Sequence, residues 1–384
     1  MTAAAGAGRA RAMPALAEAS TRAAFFLGGF GMAAWAPLVP FAKERAHLDD
    51  GALGLLLLCL GAGSLIAMPL AGALATRLGC RAVIWAASLM ICAALPWLAI
   101  GASPLWLAAA LLVFGAGVGA VDVAANIQAV TVEGAAGRTL MSGFHGLFSL
   151  GGIAGAGGVS LLLWLGASPL WAMLVAAAII LGLMAGFGHG LLSHGGADGA
   201  PLFVLPHGRV VLIGWLCFIV FLAEGSMLDW SAVFLTSVRD VAPAHAGLGY
   251  AGFAVAMTLG RLNGDRVVQA LGGPAVLVFG GICAASGFGL AILVPSSAAA
   301  LAGFTMVGLG ASNVVPVLYS AIGRQTAMPP PLAVAAVTTV GYAGILAGPA
   351  LIGFLAHATS LPWAFAAVAG LLVAVAASAR IAGP

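Results

Sequence analysis

The sequence predicts an all-α protein that crosses a membrane many times. Of its 384 residues, 62% are hydrophobic and only 7% are charged, and the mean hydropathy is +1.14. A soluble domain is usually about half apolar and about a quarter charged, so this composition excludes that class. The apolar sequence also falls into segments of membrane-spanning length, and the basic residues gather on one side of them.

Twelve apolar segments, separated by short polar or Gly/Pro-rich breaks, are each about 20 residues or longer, the length that crosses a bilayer. The most polar interior segment follows the sixth of them and predicts a linker between two six-helix halves. We therefore predict a disordered tail at 1–19, a first half at 20–190, a linker at 191–208 and a second half at 209–384. The predicted spans are 20–42, 52–76, 82–101, 104–129, 141–165, 169–190, 209–237, 245–267, 274–295, 298–322, 332–357 and 361–382.

The distribution of basic residues predicts that both termini are cytoplasmic. With that orientation, all lysines and arginines except Lys43, Arg45 and Arg239 fall on the inner side, as the positive-inside rule requires. This bias explains the net charge of +3, and no basic patch with interleaved aromatics indicates a nucleic-acid partner. We expect a monomer of the inner membrane whose partners are the lipid bilayer, protons and a small-molecule substrate.

The two halves resemble each other weakly in sequence. Gly54 matches Gly247, and Pro169 matches Pro362, when the halves are aligned. The segment Ser103–Trp106 opens the fourth span much as the segments at both prolines open theirs, so part of the match reflects a common way of starting a helix. A parallel repeat of six spans is typical of transporters built from two halves around a central site.

Three carboxylic acids, Asp122, Glu224 and Asp229, lie inside otherwise apolar spans. A charge at the bilayer centre costs roughly 2.5–3.5 kcal/mol even on lenient scales, so such residues usually face a water-filled cavity and act on ions or substrates. The sequence indicates no lysine or arginine at comparable depth, which argues against a multiply charged anion as substrate. Without such a partner, burial favours the protonated carboxyl group. We predict that Asp122 and Glu224 couple transport to protons.

Neutral polar and aromatic side chains at similar depth are candidates for substrate contacts. Asn126 follows Asp122 by one helical turn, and His145 begins the next span near the same level, so we expect the three to share one wall. The alternative interpretation is structural: interhelical hydrogen bonds for Asn126 and His145, and an outer gate or helix end for Asp229. The predicted substrate-binding residues are Asn126, His145, Asp229, Asn313, Thr338, Thr339, Tyr342 and Trp35.

No motif in the sequence predicts catalysis, a metal or a cofactor. Neither H-E-x-x-H nor G-x-S-x-G occurs, and no Gly-rich nucleotide loop is flanked by a strand. The five cysteines are scattered without metal-type spacing, which predicts packed free thiols. We therefore expect no enzyme, no catalytic residue, no metal site and no cofactor.

Two loop segments carry a family resemblance. Gly72–Arg81 resembles the loop between the second and third helices of the major facilitator superfamily, G-x-x-x-D-R-x-G-x-R, but Thr76 replaces its acid. The matching segment of the second half, Gly260–Arg266, keeps an acid between two arginines. The resemblance implies the major facilitator fold. It also implies an inward-side conformational gate, for which the candidates here are Arg77, Arg81, Arg261, Asp265 and Arg266.

Three further segments carry a narrower resemblance. Val121–Val130, Ser142–Gly152 and Glu224–Ser231 are similar to a bacterial branch that includes the rhizopine-locus membrane protein and is more distantly related to fucose–proton symporters. This implies a sugar- or polyol-like substrate. We interpret the chain as a secondary active transporter that moves a small polar solute by alternating access with proton coupling. Proton-coupled efflux of drug-like or metabolite compounds, facilitated diffusion, and a membrane receptor or scaffold remain alternatives.

Overall fold

The structure, a computed structural model, describes residues 2–193 and 205–383. Helices make up nearly all of these two ranges, which contain no β-strand. Most of the predicted linker 191–208 lies outside the described residues. The helices are α1 Thr2–Ala34, α2 Val39–Arg45, α3 Asp50–Ile100, α4 Pro104–Ala136, α5 Met141–Trp164, α6 Pro169–Phe187, α7 Arg209–Arg239, α8 Leu248–Leu271, α9 Gly273–Leu293, α10 Ser297–Ala311, α11 Val314–Arg324, α12 Pro330–Ala358 and α13 Leu361–Ala377.

Nine helical stretches of the described chain are long and apolar enough to cross a membrane. Helix α8 is not among them because Arg261, Asn263 and Asp265 lower its hydropathy, and α13 is a shorter apolar helix of 17 residues. The prediction of an all-helical protein with many membrane-spanning helices is confirmed. The number twelve stays a prediction.

Helix α3 is interrupted at Gly79, where the backbone is not helical (φ 80°, ψ 160°). Its 51 residues would extend for about 75 Å as one straight helix, against a bilayer core of about 30 Å. A side chain at Gly79 would also meet backbone, because its Cβ would lie 2.6 Å from the carbonyl carbon of Ser193. Glycine therefore permits both the positive φ and the close approach.

The structure differs from the sequence prediction at two other places. Helix α1 begins at Thr2, so the tail that we expected to be disordered is helical from that residue; its many alanines have the highest helix propensity. The predicted tenth span, 298–322, is a broken helix, in which Asn313 separates α10 from α11 with φ −108° and ψ 0°.

The chain forms two compact units. The first comprises Met1–Gly137, Leu147–Leu205 and Pro329–Ala335, and the second comprises Arg138–Gly146, Pro206–Met328 and Ala336–Pro384.

In the first unit, α3 and α4 pack closely through small residues. Ser64 Oγ donates to the carbonyl oxygen of Gly115 over 2.8 Å, and a Cβ on Gly115 would lie 2.0 Å from the carbonyl oxygen of Leu60. Small residues that let backbones approach are a common means of helix association in membranes.

In the second unit, an aromatic cluster joins four helices. Phe365 of α13 stacks on Phe234 of α7 with ring centroids 5.2 Å apart. Phe288 of α9 and Phe304 of α10 meet Phe365 edge-on at 5.2 and 6.1 Å. All four side chains are fully buried, so this cluster forms an aromatic core between α7, α9, α10 and α13.

The glycine-rich face of α5 gives a first testable prediction. A Cβ on Gly151 would lie 2.1 Å from the carbonyl oxygen of Phe26 in α1, whereas nothing lies within 4 Å of a Cβ on Gly157. Gly151→Ala is expected to destabilise the protein by about 1–3 kcal/mol through overpacking. Gly157→Ala, the matched control, is expected to be neutral or slightly stabilising. Thermal unfolding of both variants in detergent measures the difference, and equal midpoints would contradict the close α1–α5 contact.

Candidate functional site

Glu224 and Arg261 form an ion pair inside the second unit. Glu224 lies near the middle of α7, and its Oε1 accepts a hydrogen bond from Nη2 of Arg261 in α8 over 2.9 Å. The side chains are only 15% and 8% exposed. Charge-assisted bonds of this kind are roughly twice as strong as neutral ones, and they weaken when the carboxylate is protonated, because the attraction between opposite charges is lost.

This pair corrects the expectation that the buried acids have no cation at their depth. We had predicted a span ending at residue 267, with Arg261 at a cytoplasmic gate. Helix α8 instead continues to Leu271, which places Arg261 about 15 Å from its end. The guanidinium is therefore buried against Glu224 and does not lie in a surface loop.

The break between α10 and α11 supplies further contacts around Arg261. Nε of Arg261 lies 3.4 Å from the carbonyl oxygen of Ser312, to which it donates a long hydrogen bond. Asn313 Nδ2 donates to the carbonyl oxygen of Gly260 over 3.1 Å. The Oδ1 atom of Asn313 is buried and has no hydrogen-bond partner among the described residues. Broken helices often expose backbone carbonyls at substrate or ion sites in transporters.

His145, Tyr319 and Thr338 form a second group of polar side chains in the same unit. The rings of His145 and Tyr319 lie 5.6 Å apart, and the hydroxyl groups of Tyr319 and Thr338 are hydrogen-bonded at 2.7 Å. His145 Nδ1 lies 3.0 Å from the carbonyl oxygen of Met141. A carbonyl only accepts, so this contact assigns the Nδ1 proton to the ring.

Asp122 and Asn126 lie on one face of α4, as predicted. Asn126 Nδ2 donates to the backbone oxygen of Asp122 over 2.9 Å and to its Oδ1 over 3.1 Å. Oδ1 of Asn126 is buried without a hydrogen-bond partner in the described part of the chain. Both residues belong to the first unit, whereas His145 belongs to the second. The described contacts of His145 with Met141 and Tyr319 lie in the second unit, and the common wall of Asp122, Asn126 and His145 stays a prediction.

Asp265 caps the first turn of α5. Its Oδ1 accepts from the backbone N–H of Ser142 over 3.0 Å, and its Oδ2 accepts from that of Gly143 over 3.1 Å. Thr139 Oγ1 also donates to the backbone oxygen of Asp265 over 2.9 Å. A carboxylate at a helix N-terminus is favoured both by these bonds and by the helix dipole.

The first unit has no such carboxylate at the matching position. The hydroxyl of Thr76 donates to the carbonyl oxygen of Gly72, one turn earlier in its own helix, over 2.8 Å. Arg77 and Arg81, and Arg266 in the second unit, are exposed. Of the predicted gate residues, Asp265 binds the N-terminal end of α5. Arg261 belongs to the buried ion pair with Glu224 and not to the gate.

Comparisons with known proteins agree with this arrangement of helices. No family model matches the chain. It is 60% identical to an uncharacterized MFS-type transporter of Yersinia pestis, over 94% of this chain and 95% of the relative. It is 31% identical to the membrane protein MosC of Rhizobium meliloti, over 92% of this chain and 87% of the relative. The chain belongs to the major facilitator superfamily.

A solved structure of this superfamily shares the fold over nearly the whole chain. The E. coli fucose:proton symporter FucP superposes with a TM-score of 0.78 at 16% identity, covering 96% of this chain and 98% of the symporter. At this identity the likeness concerns the fold alone. The resemblance inferred from Val121–Val130, Ser142–Gly152 and Glu224–Ser231 to the rhizopine-locus protein and to fucose–proton symporters is confirmed.

Other predicted site residues of this major facilitator protein lie in different surroundings. Asp229 is exposed and makes no hydrogen bond to the Glu224–Arg261 pair, as expected from its different helix face. Trp35 is buried at the end of α1, and its Nε1 has no hydrogen-bond partner among the described residues. Thr339 is partly buried and Tyr342 is buried, one and four residues after Thr338 in α12.

Sequence reasoning missed Tyr319. It is 1% exposed and connects His145 to Thr338 through one ring contact and one hydrogen bond. The signal was present, because a tyrosine in the middle of an apolar span must find a partner for its hydroxyl group. Asn313 was predicted from its depth alone, and the helix break that it occupies was not.

Proposed function

We propose that this major facilitator protein is a secondary active transporter of a small polar, sugar- or polyol-like solute across the bacterial inner membrane. In this proposal twelve helices in two six-helix halves alternate access to a central site, both termini are cytoplasmic, and transport is coupled to protons. The fucose:proton symporter FucP, which shares the fold, is by name a proton-coupled sugar carrier. The closer relatives are described only as transporters or as a membrane protein.

The Glu224–Arg261 pair is the observation that carries the proposal of proton coupling. Protonation of Glu224 removes the charge that attracts Arg261 and weakens their 2.9 Å bond. The pair is therefore closed when Glu224 is charged and can open when Glu224 is protonated. A proton can drive a conformational change only if the two conformations differ in their affinity for it, and the closed and open pairs differ in this way. Asp122, held by Asn126 in the first unit, is the second candidate for carrying the proton.

Neutral polar groups of the second unit suit a hydroxylated solute. Tyr319 and Thr338 supply hydroxyl groups, and Asn313 supplies an amide oxygen that accepts hydrogen bonds. Such groups orient a polyol without the desolvation cost of additional charges. Asp265, with Arg77, Arg81 and Arg266, is proposed to control conformational exchange and not substrate choice.

The buried position of Arg261 favours a second candidate, a solute with a single carboxylate. From the sequence we predicted no cation beside the buried acids and therefore no multiply charged anion as substrate, but Arg261 supplies one positive charge beside Glu224. Once Glu224 is protonated, a carboxylate of the solute is the natural replacement partner for Arg261, because arginine stays charged. A polyhydroxylated acid would then enter together with one proton.

Transport into proteoliposomes tests both candidates. A panel of neutral sugars, polyols and their carboxylate counterparts is offered with and without an imposed pH gradient. Glu224→Gln and Asp122→Asn are the informative variants, and Asp240→Asn, at an exposed loop acid, is the matched control. Loss of gradient-driven accumulation with preserved counterflow in either variant identifies the coupling acid, since counterflow needs no net proton movement. Full gradient-driven transport by both variants would exclude these acids and favour a facilitator.

A further inference from the structure

An apolar groove lies on the outer face of the second unit, between α8, α9 and α10. Its volume is about 430 Å³, within the usual range of about 300–1,000 Å³ for ligand pockets. Four of its lining residues are large apolar side chains that are each more than half exposed: Leu259, Leu271, Phe279 and Leu309. Along α8 the groove extends for about 18 Å, from Leu271 at the helix end to Leu259.

A cation stands at the edge of this groove. Arg266 is exposed and makes no hydrogen bond or ion pair with any residue that the structure describes. It precedes the groove residue Val267 and lies three residues after Asn263, another groove residue, on the same side of α8. Its position is about 7.5 Å from the end of α8, so its long side chain can extend to the level of the helix end.

We propose that the groove binds an anionic phospholipid, with the phosphate at Arg266 and an acyl chain along α8, α9 and α10. The occupant follows from the chemistry: the wall is apolar over a length that suits an alkyl chain, and the charge at the edge is complementary to a phosphate. Guanidinium groups bind phosphate oxygens with two parallel hydrogen bonds. Basic pockets beside membrane helices are recognised sites for anionic head groups. The proposal requires only that the chain spans a membrane and is independent of its substrate.

The groove and the Glu224–Arg261 pair share residues at the contact between α8 and the α10–α11 break. Gly260, Ser312 and Asn313 line it, and the same residues are hydrogen-bonded to one another or to Arg261. An acyl chain bound in the groove therefore covers the contact between α8 and the α10–α11 break on the groove side. We expect the lipid to stabilise the second unit as well as to bind it.

Lipid retention measured by native mass spectrometry tests the proposal. The protein is exchanged into detergent with equal amounts of phosphatidylglycerol and phosphatidylcholine. Wild type is expected to retain phosphatidylglycerol preferentially and to unfold at a higher temperature with it. Arg266→Gln is expected to lower that preference about fivefold, the effect of one basic side chain near an anionic surface. Arg266→Lys is expected to keep most of it, because lysine binds phosphate as a point charge.

Two further variants separate the groove from general charge effects. Leu309→Trp fills the groove from an exposed position and is expected to reduce retention of phosphatidylglycerol without unfolding the protein. Arg77→Gln removes an exposed arginine of the first unit and is expected to leave retention unchanged. Equal retention of the two lipids by wild type, or full retention by both Arg266→Gln and Leu309→Trp, would overturn the proposal. A dimer that Leu309→Trp dissociates would also overturn it, because a second copy would then occupy the groove.

Discussion

Glu224→Gln is expected to destabilise the protein more than Arg261→Gln, although each substitution removes one side of the same ion pair. Breaking a buried pair usually costs about 3–5 kcal/mol because the remaining charge stays buried. Glu224 escapes that cost when Arg261 is lost, since a buried carboxylate can take up a proton. Arginine cannot lose its charge in proteins, so Glu224→Gln leaves Arg261 charged in surroundings that expose only 8% of its side chain.

Thermal unfolding in detergent at several pH values measures this asymmetry. Arg261→Gln is expected to become more stable relative to wild type as the pH falls, because protonation of Glu224 then costs less. Glu224→Gln should show no such improvement. The double variant Glu224→Gln/Arg261→Gln is expected to be more stable than Glu224→Gln alone, since replacing both charges removes the unpaired one. Additive losses in the double variant would show that the two side chains do not interact.

Asp265→Asn is expected to change the rate of transport and to leave the order of substrate preference intact. The carboxylate accepts from the N–H groups of Ser142 and Gly143, whereas an amide presents an NH₂ group that cannot accept from one of them. Losing a hydrogen bond to a charged group costs about 1.5–3 kcal/mol, equivalent to a roughly 10- to 100-fold shift in an equilibrium between conformations. A changed order of preference would place Asp265 at the substrate and not at the gate.

Gly143→Ala tests the same contact without altering any charge. Its Cβ would lie 2.6 Å from Oδ2 of Asp265, so the carboxylate must move away from the start of α5. We expect the rate change of Gly143→Ala to have the same direction as that of Asp265→Asn. Gly134→Ala is the control, because nothing lies within 4 Å of the added atom. Wild-type rates in Gly143→Ala would argue that the cap does not influence transport.

Local relationships in the site were predictable from sequence. Asn126 follows Asp122 by one helical turn, and the hydrogen bond between them is within the reach that this spacing allows. The helical class followed from composition and span length in the same way, because each depends on short stretches of sequence. The family also followed from local segments such as Gly72–Arg81.

The pairing of Glu224 with Arg261 was not predictable in the same way. The two residues lie on different helices, and which faces of α7 and α8 meet depends on packing that no local pattern specifies. Polar residues in α8 also hid its true length, since hydropathy ended the predicted span at residue 267 whereas the helix ends at Leu271. The break at Asn313 was missed although the sequence carries a signal for it: Pro316 follows three residues later and has no N–H to donate to the carbonyl oxygen of Ser312.

The glycines of α5 divide that helix into a part that packs closely on α1 and a part with open space around it. Gly151 and Gly155 lie against the backbone of α1, where any side chain would collide with the carbonyl oxygens of Phe26 and Phe30. Gly157 and Gly158 have open space around them, and adjacent small residues are frequent places for helices to kink. A bend at Gly157 and Gly158 would therefore meet no steric clash with the protein, and the stretch before it could stay packed on α1 while the last turns of α5 change direction.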